Sequence, residues 1–81
     1  MNVTTETTAF GIRYKTGRCS ITRERHAISV LMLNEDVGLD PYATARLLIA
    51  ALVPEPPASN DVLPFAVKTR EHTTSVEFYL R

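Results

Sequence analysis

The chain has 81 residues, 44% of them apolar, with nine basic and nine acidic side chains and one cysteine. That length holds one domain with one modest core, and that apolar share excludes a wholly disordered chain. The balanced charge lacks the basic excess that supplies nucleic-acid binders with phosphate contacts, and no stretch reaches the roughly 18 apolar residues that a membrane span needs.

The charge is unevenly placed. Residues 1–25 carry five Arg/Lys against two Glu, residues 26–67 carry Arg46 against five acids, and residues 68–81 carry three bases against two acids. Such a dipolar surface suits a charged protein partner. The first residues lack a basic start followed by an apolar core and a small-residue cleavage site. Cys19 has no internal disulfide partner, whereas small secreted domains usually need such staples. Both features set the expectation of a cytoplasmic protein.

In chain order, residues 1–9 are polar and Thr-rich without a period, and are expected to form a loose tail. Residues 10–81 are expected to form a single domain. Phe10, Ile12 and Tyr14 alternate with Gly11 and Arg13, a strand pattern, and Lys15-Thr16-Gly17 reads as a turn. Residues 18–21 return as a short strand or lead into a helix.

A first helix is expected over residues 22–34. Thr22 can cap it, Glu24 sits in its first turn, and Ala27, Ile28 and Leu31 have helical spacing. Residues 27–33 are apolar nearly all round, as in a helix buried on several sides. Gly38 lies in the break that follows. A second helix opens at Asp40-Pro41, where Asp caps and Pro occupies the first helical position. Ala43, Leu47, Ala50 and Ala51, joined by Leu48 and Leu52, make its expected buried stripe. Val53-Pro54 ends it, and Pro54, Pro56 and Pro57 stiffen a linker to about Asn60.

The last segment supports two readings. With period 2, Leu63-Phe65-Val67 and Val76-Phe78-Leu80 form a hairpin closed by residues 70–73. With period 3.6, residues 69–80 form a helix bearing Thr69, Thr73, Val76 and Leu80 on one face. The β-branched run around Thr73, Thr74 and Val76 favours strand.

No constellation points to catalysis. Cys19, His26 and Asp36 have no nucleophile elbow or oxyanion loop beside them. Cys19, His26 and His72 lack the paired spacing of a structural zinc site. Gly11, Gly17 and Gly38 make no phosphate-binding pattern. Glu35, Asp36 and Asp40 read as a solvated rim. The expectation is therefore a protein that is not an enzyme and carries no cofactor or metal.

Residues 22–28 (Thr-Arg-Glu-Arg-His-Ala-Ile), Leu31-Met32-Leu33, and residues 40–52 with Ile49, Ala50 and Leu52 resemble a helix-turn-helix-variant domain. That domain is found in transfer regulators of proteobacterial integrative and conjugative elements. Lys68-Thr69-Arg70 and Glu71-His72-Thr73 match its later helix start. The resemblance implies an antiactivator. Such a protein sequesters transcriptional activators, a LuxR/TraR-type quorum-sensing regulator and an FseA-type activator, and so represses conjugative transfer. Glu71, Glu77, Val76 and Phe78 thin the basic character usual in the third helix, which fits protein contacts better than DNA. The resemblance also tips the last segment toward helix.

The expected fold is thus mainly α: a three-helix, helix-turn-helix-like variant with a short N-terminal strand or hairpin. The alternative is α+β, two helices packed on terminal β-hairpins. The expected core is Ile28, Leu31, Leu47, Leu48, Leu52, Phe65, Val76 and Leu80. The expected partner-binding residues are Tyr42, Arg46, Lys68, Arg70 and His72. Protein binding is the leading function, with no specific nucleic acid and no membrane. A DNA-binding repressor and a phage-type inhibitor of a host protein complex are the alternatives, the latter favoured if the C-terminal segment is a hairpin.

Overall fold

The computed structural model describes residues 2–81. Its strands are β1 (Thr4–Thr7), β2 (Gly11–Lys15), β3 (Cys19–Glu24), β4 (Ala27–Leu33), β5 (Val62–Thr69) and β6 (Thr73–Leu80), with a helix α1 (Pro41–Leu52) between β4 and β5. They form one antiparallel sheet in the order β1-β2-β3-β4-β6-β5. The fold is therefore mainly antiparallel β with, among the described residues, a single α-helix, not a three-helix bundle.

The first expected helix, residues 22–34, is instead the end of β3, a turn at Arg25 and His26, and all of β4. A short run that is apolar on both sides fits a central strand as well as a buried helix. Here the period is 2: Ile28, Val30 and Met32 are buried, while Leu31 between them faces out. The Thr-rich segment expected to be a tail supplies β1, whose β-branched residues suit an extended edge strand. The C-terminal segment is a β5–β6 hairpin, as its β-branched residues favour and against the helix that the family resemblance favours.

The helix opened by Asp40-Pro41 does form. Asp40 Oδ1 accepts the free N–H groups of Tyr42 (3.0 Å) and Ala43 (3.3 Å), and Pro41 costs no hydrogen bond at the first position. Its burial is rotated from expectation. Ala45, Ile49 and Leu52, spaced i, i+4, i+7, are buried, and Ala43, Leu47, Ala50 and Ala51 face away from the sheet, exposed.

The core lies between α1 and one face of the sheet. A row of facing residues, Tyr14, Ile21, Val30 and Val76, runs across β2, β3, β4 and β6, and all four are buried. The neighbouring row pairs Ile28 with Phe78. Of the expected core, Ile28, Leu52 and Val76 are buried and Leu48 and Leu80 pack against them, but Leu31, Leu47 and Phe65 are exposed. Asn34 ties the far hairpin down. Its side chain accepts from buried Thr74 (2.7 Å) and donates to the carbonyls of Arg70 and Glu71.

Gly11 opens β2 opposite Glu24, and a Cβ built there runs into the backbone carbonyl of Arg23. Backbone cannot yield as a flexible side chain does. Gly11→Ala is therefore expected to cost about 1–2 kcal/mol by prising β2 from β3. Chemical denaturation measures this, and an unchanged midpoint would show that the strands absorb the methyl group.

Candidate functional site

The five expected partner-binding residues do not meet on one surface. Tyr42 is half-buried, its ring edge-on to Phe78 at 5.6 Å. Arg46 crosses the Phe78 ring, 5.1 Å from its centroid. It donates to the carbonyls of Ser59 (3.2 Å) and Val62 (2.6 Å). Both side chains are engaged within the chain, Tyr42 with Phe78 and Arg46 with Phe78, Ser59 and Val62. Lys68 faces the opposite side of the sheet and pairs with Glu77 at 3.5 Å. Arg70 and His72 flank the exposed β5–β6 turn.

What the fold does assemble is the sheet face opposite α1. Its pairing register places Lys15, Ser20, Leu31, Ser75 and Lys68 in one row across five strands. The next row holds Glu6, Arg13, Thr22, Ser29, Glu77 and Ala66. A concavity of about 490 Å³ lies among Arg13, Lys15, Ser20, Thr22, Ser29, Leu31 and Ser75. Small hydroxyl residues form its floor because strand alternation sends Ile21, Val30 and Val76 to the other side.

Toward the other end of the strands, Phe65 packs tilted against Tyr79, with ring centroids 4.6 Å apart. Phe65 sits at an irregularity between Pro64 and Ala66 where the β5–β6 register shifts. Such a bulge re-aims a side chain. The face thus has two apolar anchors, Leu31 and the Phe65–Tyr79 pair. Four residues of β4 separate the Leu31 row from the Tyr79 row, which is about 13 Å.

The electrostatics of this face are balanced. Arg13 donates to Glu6 (3.1 Å) and Thr22 (3.2 Å). Glu77 meets Lys68 through Oε1, while its Oε2 is buried without a hydrogen-bond partner. Three bases (Arg13, Lys15, Lys68) stand among three acids (Glu6, Glu24, Glu77), so there is no continuous basic track for phosphates.

The remaining candidates have local partners. Glu35 and Asp36 bind Arg18 at 2.7 and 2.9 Å, and the hydrogen bonds to Asp36 and then Glu35 raise the Arg18 pKa above its ordinary value. Asp40 is committed to the helix cap. Cys19 is half-buried with Thr16 Oγ1 3.6 Å from its sulfur. His26 is exposed in the β3–β4 turn, where its backbone carbonyl accepts from the Leu80 N–H. Among the described residues, no group of three or more His, Cys, Asp or Glu side chains is placed to hold a metal, and no helix is long and apolar enough to cross a membrane.

Comparison with protein-family models, with curated proteins and with solved structures finds no match to this chain.

Proposed function

We propose that this protein acts by binding another protein through the open face of its sheet. One observation carries the reading: α1 covers one face only, and the other leaves Leu31, Phe65 and Tyr79 45–56% exposed, with Lys15 and Lys68 on either side of Leu31 in its row. Exposed aromatic and aliphatic anchors with a polar surround are the make-up of a protein interface. Lys15 suits a partner segment that sets a carboxylate beside its apolar side chains.

Masking an activator is one thing such a face can do. The antiactivator role, and activators of LuxR/TraR and FseA type as its targets, rest on the family resemblance alone, and the helix-turn-helix core that came with it is not the fold of this chain. The β5–β6 hairpin favours a second reading, an inhibitor of phage type that occupies a surface of a host protein complex. Both use the same face and differ in the partner.

The test is capture from a bacterial lysate with the immobilised chain. Leu31→Glu is expected to abolish retention of the partner, and Arg70→Glu, at the exposed hairpin end, to keep it. The identity of the retained protein, activator or host complex, separates the two readings. Retention that survives Leu31→Glu and fails with Arg70→Glu would move the interface to the hairpin tip.

A further inference from the structure

A helix lying on a protein surface ordinarily turns charged and polar side chains to the solvent. Helix α1 does not. Its outward residues are Ala43, Leu47, Ala50 and Ala51, with Leu47 72% exposed and Leu39, just before the helix, fully exposed. Its one charged residue, Arg46, spends its guanidinium on the carbonyls of Ser59 and Val62. A helix with apolar residues on opposite sides belongs in an interior, and within one chain only one of those sides of α1 has one.

Beside this ridge lies a groove of about 270 Å³ whose lining includes Arg46, Ile49, Ala50, Pro56, Pro57 and Val62. The strap that walls it is stiff. It holds three prolines and Glu55 at φ 49°, a left-handed conformation that a non-glycine residue adopts only where its surroundings impose it. Ala50, on the lip of the groove, is three residues from Leu47, so knob and hole sit side by side, one helical turn apart.

We propose that two copies of this chain pair through α1 about a two-fold axis, each inserting Leu47 into the groove of the other. A two-fold interface requires one patch to complement itself, and an adjacent knob and hole meet that requirement. An uncharged ridge also sets no like charges against each other when it meets its own copy. A standard interface takes about 800 Å² from each partner. That is about 15% of this chain's 5416 Å² surface, and α1, about 18 Å long, supplies its ridge. The pairing leaves both open sheet faces outward, so the dimer is bivalent for the partner proposed above, and neither proposal depends on the other.

Sedimentation of the intact chain tests the pairing. The wild type is expected at twice the 9.0 kDa chain mass, with a melting temperature that rises with protein concentration. Leu47→Glu and Ala50→Glu are expected to sediment as monomers with an unchanged far-UV spectrum, and Leu47→Ala to raise the dimer dissociation constant at least about tenfold. Phe65→Glu, on the opposite face, is expected to leave the dimer intact. A wild type that stays monomeric up to its solubility limit overturns the proposal. So does a dimer that survives Leu47→Glu, or one that Phe65→Glu dissociates.

Discussion

Phe78→Ala is expected to remove about 3–5 kcal/mol of stability, the largest loss from any single side chain in the core. The ring is 1% exposed. Ile28 faces it from β4 and Pro64 from β5, Tyr42 meets it edge-on, and Arg46 lies across it. Truncation empties a space bounded on the sheet side by backbone-fixed strands and above by α1, so little can collapse into it. A domain of this size holds only about 4–12 kcal/mol in total, and the variant is expected to be partly unfolded without denaturant. The control is Phe65→Ala, which removes the same atoms from an exposed ring and is expected to cost less than about 1 kcal/mol. Urea denaturation of the pair decides the matter: similar midpoints would mean that the sheet faces are assigned the wrong way round.

That contrast marks where residue patterns mislead. Leu31 and Phe65 belong to the expected core and Val30 does not, yet Val30 is wholly buried and Leu31 is 45% exposed. A helical reading groups Ile28 with Leu31 at i, i+3. The strand groups Ile28 with Val30 and Met32 and puts Leu31 on the far side. β4 is central and carries apolar residues on both faces, so alternation is hidden in composition and shows only in burial. Where a strand has one polar face the pattern was visible: Val76, Phe78 and Leu80 alternate with Ser75, Glu77 and Tyr79, and they form β6. There the family resemblance favours helix, against the residues' own propensity.

The signals at α1 were local and strong, and the helix starts and stops where the cap and the proline place it. Its orientation was not legible, because both of its sides are apolar. The stripe through Ala43, Leu47 and Ala50 looked as fit for burial as the stripe through Ala45, Ile49 and Leu52. The same ambiguity that hid the buried side is what exposes the unpartnered one. The open sheet face was legible only in fragments. Lys68 was singled out, but Lys15, Leu31 and Ser75 join it through a register that crosses five strands, and no local spacing reports that.

Arg46→Ala is expected to cost about 2–4 kcal/mol, where a free surface cation would cost less than about 0.5 kcal/mol. Its guanidinium donates to two carbonyls on the segment entering β5. Hydrogen bonds from a charged donor contribute about 1.5–3 kcal/mol where they are sheltered, and the carbonyls left behind lose a partner that water reaches poorly at Val62. The bond to Val62, at 2.6 Å, is the short one. Loss of the cation over Phe78 adds to this. Arg46→Lys is expected to recover less than half, because one ammonium cannot span two carbonyls as the planar fork does. The damage begins locally: with the fork gone, the strap after α1 and the start of β5 come away from the helix. Amide hydrogen exchange is therefore expected to speed up at Leu63 and at Arg81, whose N–H donates to Asp61, before it does at Val30 or Val76. Uniform protection in Arg46→Ala, with a wild-type unfolding midpoint, would return Arg46 to the free surface.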